Sequence, residues 1–161
     1  MRIIRKSISH IIEKYRLLQS IKTVMYLKLR GARVGSNVRI WGPISCSGNL
    51  EKLTIGNNVT LNTGVFIGCR DFVEIGSGTT ISGFTRIITG KLVSQRPKIH
   101  SSERIKIGEN VWVAVGCTIL AGANIGSNSL ISAGCIVTKE IPRNSFVKMN
   151  SKLKIMDNKL E

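Results

Sequence analysis

Histidine and acidic residues are both scarce in this chain. It carries two histidines, nine acidic residues against 24 lysines and arginines, and four cysteines, none of them in a Cys-x-x-Cys pair. That inventory argues against a zinc site built from Cys and His spacing, and no metal is expected. Aromatic residues make up 5% and do not interleave with the basic ones, so a nucleic-acid partner is not expected. With three prolines against 16 glycines the chain is neither Pro-rich nor collagen-like. No apolar run approaches the roughly 20 residues needed to cross a bilayer. The basic start, Met1 to Lys6, leads into an apolar stretch broken by Glu13, Lys14 and Arg16, with no small-residue cleavage site. The expectation is cytoplasmic residence with reduced thiols, with room for a peripheral position at the inner face of the cell membrane.

What is present is charge and repetition. The net charge of +15 calls for an anionic partner such as a phosphorylated cofactor or an anionic membrane surface. At 161 residues and 42% hydrophobic composition, one domain is the default. From Ile107 the chain divides into unbroken sixes: IGENVW, VAVGCT, ILAGAN, IGSNSL, ISAGCI, VTKEIP. The same frame fits upstream in three blocks, beginning at Val34, Ile55 and Ile75. All fifteen first positions are apolar, from Val34 through Ile81 and Ile87 to Val137. Fifth positions are mostly small or β-branched, Cys117 and Cys135 among them, and second positions are often Gly.

A six-residue unit is one short strand and one tight corner. Its first residue points inward, and Gly and Asn tolerate the positive φ that corners demand. Three units close a triangular coil of 18 residues, and successive coils pair as parallel strands. An alternating-strand sandwich would show period two without this six-residue lock. The fold expected is therefore an all-β solenoid, a parallel β-helix of about five triangular coils over residues 34–142. Cys117 and Cys135, 18 residues apart, are expected to stack as inward fillers.

Other segments depart from the frame. Residues 52–54 and 73–74 are short insertions, and 93–106 form one long excursion, a kind of loop that tends to carry function. Residues 1–33 read as a helix, with apolar residues at Ile4, Ile8, Ile11, Tyr15, Leu18, Met25 and Leu29. This basic helix fits a cap over the open first coil, trimer packing, or contact with an anionic membrane surface. Residues 143–161 read as a basic tail.

The hexads, together with NVWVAVGCTILAGANIGSNSLISAGCIVTKEIP, resemble the left-handed parallel β-helix acyltransferases, the hexapeptide-repeat transferases. Within them the chain is most similar to sugar O-acetyltransferases of surface polysaccharide biosynthesis. Thr89-Gly90-Lys91 and Arg96-Pro97-Lys98-Ile99 partly resemble serine acetyltransferases. The resemblance implies a left-handed coil, a homotrimer, and acetyl-CoA held in the groove between neighbouring solenoids. The implied reaction carries an acetyl group from acetyl-CoA to a sugar hydroxyl of a polysaccharide or lipid-linked oligosaccharide. Carried over residue by residue, Trp112, Val115, Ala133, Thr138 and Lys139 would line the CoA groove, with Lys139 as a point charge for a phosphate.

Acyl transfer to a hydroxyl needs a base, and imidazole suits that task. The family's histidine is missing, since Leu92 stands at its position. His10 lies on the basic helix and reads as a surface or packing residue. His100, in the long excursion, is the candidate catalytic base. Asn62 and Asp71 are candidate acceptor contacts. Two alternatives remain open at this point: a catalytically silent β-helix that binds or scaffolds, and a serine-acetyltransferase-like enzyme acting on a small-molecule hydroxyl. A zinc branch of the same fold needs three histidines and is excluded by the count.

Overall fold

The computed structural model describes residues 2–95 and 98–149, and for 2–9, 95, 98 and 99 the backbone alone. A 28-residue helix, Arg2–Leu29, precedes a three-sided prism of parallel strands. The first face stacks Arg33–Val34, Leu53–Ile55, Val73–Ile75, Ile105–Ile107, Asn124–Ile125 and Glu140–Ile141. The second face runs from Arg39–Trp41 to Phe146–Val147 in six strands, and the third from Ser45–Gly48 to Ile136–Val137 in five. The coil thus makes five complete turns and two sides of a sixth. It continues past Pro142 to Val147, beyond the point where the hexad frame stops.

The first positions stack in register as the repeat requires. One column reads Val34, Ile55, Ile75, Ile107, Ile125, Ile141, and another Cys46, Ile67, Ile87, Ile119, Val137. Thirteen of the fifteen predicted inward residues are buried; Val34 and Cys46, in the first turn, are partly buried and pack on the same core. Cys117 and Cys135 are buried fillers, as expected. Buried Thr79, Thr85, Thr89 and Ser129 all hydrogen-bond to backbone carbonyls, so the core leaves no buried side-chain polar atom unpartnered among the described residues.

Two kinds of corner residue do different work. The positive φ belongs to fourth positions, where Asn37, Asn58, Asn110, Asn128 and Asn144 adopt the left-handed conformation. Their side-chain amides bond from turn to turn, Asn37 to Asn58 at 2.8 Å and Asn128 to Asn144 at 3.1 Å. The second-position glycines, by contrast, answer a close approach of backbone to backbone. A Cβ on Gly76 would lie 2.5 Å from the Gly108 backbone, and one on Gly126 would lie 2.4 Å from the Arg143 amide. The sequence reading had given both residue types one reason; the structure separates them.

The helix caps the first turn, but not with the stripe picked out by spacing. Ser20, Val24 and Leu27 face the prism, and the Ser20 hydroxyl accepts the Ile40 amide at 2.8 Å. That amide belongs to the first strand of the second face, which has no earlier turn to bond to. Ile11, Tyr15, Leu18, Met25 and Leu29 are exposed. The side chains of Ile4 and Ile8, and the tail from Asn150 onward, lie outside the described residues.

The long excursion is a two-stranded antiparallel hairpin, Gly90–Gln95 with Lys98–Ser102. It leaves the coil at Gly90 and returns by Ile105, which is buried, so both ends differ from the 93–106 read from the sequence. The hexad frame had absorbed Gly90 to Leu92 into the coil because their spacing happened to match.

Candidate functional site

Every change in repeat length falls on one edge of the prism. From first face to second and from second to third, the first positions are always six residues apart. From third face back to first only Ile119 to Ile125 keeps six; Cys46 to Ile55, Ile67 to Ile75, Ile87 to Ile107 and Val137 to Ile141 do not. The packing of the core fixes two edges and leaves the third free to carry inserted chemistry.

This variable edge carries Asp71, the hairpin with His100, and Thr138 with Lys139. Thr89, fully buried, organises it. Its hydroxyl donates to the Gly68 carbonyl at 2.7 Å and accepts the Asp71 amide at 3.0 Å. Asp71 turns its carboxylate onto the Phe72 amide at 2.7 Å, which occupies one oxygen. Sequence reasoning did not nominate Thr89; as the third residue of the unit that begins at Ile87 it carries no signal of its burial.

The hairpin is held at its base by the Lys91–Glu103 ion pair, the only one among the described residues. The Glu103 amide adds a bond to the Thr89 carbonyl at 3.0 Å. Within the hairpin His100 is the cross-strand partner of Leu92. Directly opposed residues of an antiparallel pair project to the same side, with Cβ atoms about 4.5–5.5 Å apart. His100 therefore stands beside the position at which the resemblance had led us to miss a histidine. Both residues are exposed. Lys139 and Thr138 are exposed on the same edge two turns on, and among the described residues no ion pair ties up the Lys139 ammonium.

The remaining nominated residues lie on the edge between second and third faces or on the second face itself. Val115 and Ala133 occupy equivalent exposed corners of adjacent turns, joined by the Gly134 amide bonding to the Val115 carbonyl at 2.9 Å. Trp112 is half-exposed on the second face, its indole N–H donating to the Ser82 hydroxyl at 3.1 Å. Asn62 is half-buried at the second turn's corner. There it opens onto a groove of about 1220 Å3 between the prism and the N-terminal helix. Tyr15, Trp41 and Phe84 give the groove aromatic walls, and Arg16 and Lys22 are the charged residues among its described lining.

Phe84 was not foreseen. It adopts φ 59°, where Gly64, Gly116 and Gly134 occupy the same corner in other turns. Its ring lies over Gly64, where a Cβ would come within 2.6 Å of it. A bulky residue in this conformation is strained, and such strain concentrates at functional sites.

The nominated groups fall on two different edges of the prism. The third face separates the edge of His100, Asp71 and Lys139 from the edge of Val115, Ala133 and Asn62. At about 3.3 Å per residue, six residues of face put the two edges on the order of 15–20 Å apart.

The prism, its hexad register and its irregular edge define the class. Residues 104–139 match the family model for the bacterial transferase hexapeptide (six repeats). The chain is a hexapeptide-repeat protein of the parallel β-helix class. In particular it is similar to galactoside O-acetyltransferases. It is 30% identical over 126 residues to that of Lactococcus lactis, covering 73% of this chain and 59% of the relative. It is 36% identical over 117 residues to that of Escherichia coli, covering 70% of this chain and 57% of the relative. The chain thus spans less than two thirds of the length of these curated relatives. Among solved structures, a galactoside acetyltransferase in complex with coenzyme A superposes with TM-score 0.70 at 29% identity, covering 83% of this chain and 76% of that one. A superposition of this quality preserves the hand of the coil, so the chain winds in the same sense as that protein.

Proposed function

We propose that this protein is an acetyl-CoA-dependent O-acetyltransferase whose acceptor is a sugar hydroxyl, of a surface polysaccharide or lipid-linked oligosaccharide. The observation that carries the reading is the pairing of His100 with Leu92, which sets an imidazole on the one edge where the coil departs from its repeat. The similarity to galactoside O-acetyltransferases, and the coenzyme A held by one such structure, supply the donor.

In this reading the His100 imidazole takes the proton of the sugar hydroxyl as its oxygen attacks the thioester carbonyl. The tetrahedral intermediate collapses with cleavage of the C–S bond, and the proton passes to the departing CoA sulfur. Lys139 and Thr138 face the CoA from the edge of His100, with Lys139 meeting a phosphate. Trp112, Val115 and Ala133 flank the pantetheine arm from a second copy. Such a head-to-tail contact between unlike edges closes as a ring of three when each copy is turned by a third. Asn62 and the groove beside it receive the acceptor, with Asp71 at the opposite edge.

The test is a pair of measurements on one variant. Acetyl-CoA should raise the melting temperature of the wild type and of His100→Ala alike. CoA release with galactoside acceptors should fall by about 10²–10⁴ in the variant, the span typical of a lost general base. Turnover unchanged in His100→Ala would remove the histidine from the mechanism. Absence of acetyl transfer to any hydroxyl acceptor would leave a binding protein instead.

A further inference from the structure

The helix that caps the prism has a second face, and none of the described residues covers it. Leu17, Leu18, Ile21, Met25 and Leu29 are each about half exposed or more, Leu29 reaching 80%. At 100° per residue, Leu18, Met25 and Leu29 lie opposite Ser20, Val24 and Leu27, the residues seated on the first turn. The stripe also stands apart from the groove, none of whose lining residues belongs to it.

The charge on this helix has one sign. Residues 2–30 hold eight lysines and arginines and a single acid, Glu13, a net of +7. Lys14 and Lys28 project along the stripe itself at helical spacing from Leu18, Ile21 and Met25, and Lys22 lies on its flank. Long lysine stems of this kind run along apolar surface and deliver their ammonium groups at its margin. No described helix is long and apolar enough to cross a membrane.

We propose that this outer stripe is the surface by which the protein lies on an anionic lipid bilayer. Leu18, Ile21, Met25 and Leu29 enter the acyl boundary, and Lys14 and Lys28 meet lipid phosphates. A second copy of the helix is the alternative occupant, and the charge disfavours it. Two such stripes would bring Lys14 and Lys28 of one copy against those of the other with no acid between them. A surface that is apolar at its centre and cationic throughout is instead complementary to anionic headgroups over an acyl layer. Because the opposite side of the same helix holds the first turn, docking would set the capped end of the prism toward the membrane. The proposal does not depend on the acyl-transfer reading.

Flotation of the full-length protein with vesicles tests this directly. Vesicles of phosphatidylcholine with 30% phosphatidylglycerol should carry the wild type upward at low salt. Pure phosphatidylcholine should not, and raising the salt should release the protein. The double variant Lys14→Gln/Lys28→Gln should bind the anionic vesicles about thirtyfold more weakly, as expected for two lysines near a charged surface. Leu18→Gln/Met25→Gln should lose binding at unchanged charge. Both pairs are solvent-exposed, so melting temperature and circular dichroism should match the wild type. Equal binding to neutral and anionic vesicles, or none to either, would overturn the proposal. So would variants that keep vesicle affinity but change the molar mass in light scattering, which would assign the stripe to a second copy.

Discussion

Lys106 and Ile107 are adjacent in sequence and opposite in fate, so together they probe the register of the whole prism. Ile107 is buried and stacked between Ile75 and Ile125; Lys106 is exposed, paired along the outer surface with Glu74 and Asn124. Ile107→Ala removes three carbons at about 0.8 kcal/mol each, a transfer loss of about 2.4 kcal/mol. Neighbouring turns are fixed by their own ladders and collapse little. On the order of 50 Å3 of residual space at about 24 cal/mol per Å3 adds roughly 1.2 kcal/mol. The expected loss is about 3.5 kcal/mol, or about 7–14 °C in melting temperature for a chain of this size. Lys106→Ala should stay within about 0.5 kcal/mol. Urea unfolding at fixed protein concentration reads both, with the slope unchanged and only the midpoint moving. Comparable losses for the two variants, or a loss under about 1 kcal/mol for Ile107→Ala, would refute the stacked-column account.

Other consequences are checked by similar means. Asn128 adopts φ 59° and bonds to both Asn110 and Asn144. Asn128→Ala should therefore cost about 2 kcal/mol in urea unfolding, and Asn128→Gly distinctly less, because glycine keeps the left-handed backbone without strain. An alanine variant as stable as the glycine one would show that the corner tolerates other conformations. Burial pushes the Cys46 thiol up to about 11 and, with Cys46 nearby, the Cys69 thiol up to about 12. Both folded values lie above those of the unfolded chain. Their contribution is thus complete below about pH 8.5 and drains away as the pH climbs toward 11 and 12. The wild-type urea midpoint should fall over that range more steeply than that of Cys46→Ala/Cys69→Ala. Parallel curves would contradict the assignment.

The prism was legible because its signal is redundant: fifteen first positions obey one rule, and the partial exposure of Val34 and Cys46 in the first turn does not blur it. The last partial turn was hidden by a shortened unit. Val137 to Ile141 spans four residues rather than six, which throws Ile141 and Val147 out of frame, although Asn144 still marks the corner. The helix misled for a different reason. Its best apolar periodicity runs from the groove-lining Ile11 and Tyr15 to the outward Leu18, Met25 and Leu29, whereas the prism-facing side uses Ser20, a polar residue that satisfies the Ile40 amide. His100 was found by scarcity, as the one histidine in the excursion, but its pairing with Leu92 depends on the hairpin register and on the bulge between Leu92 and Ser94. Thr89 and Phe84 were missed because what distinguishes them is conformation and burial, and neither is written in residue type.

The claim that most needs testing is that the acyl-transfer site is shared between copies, with His100 on one edge and Asn62 on the other. Co-expressing His100→Ala and Asn62→Ala chains, each expected to be inactive in its own homo-oligomer, decides it. If each site takes one edge from each of two neighbours, random mixing leaves half of the chains good on each edge and about a quarter of the sites intact. The mixed oligomers should therefore recover about a quarter of wild-type turnover. Mixed oligomers as inactive as either parent would place both residues in one copy's site and contradict the account.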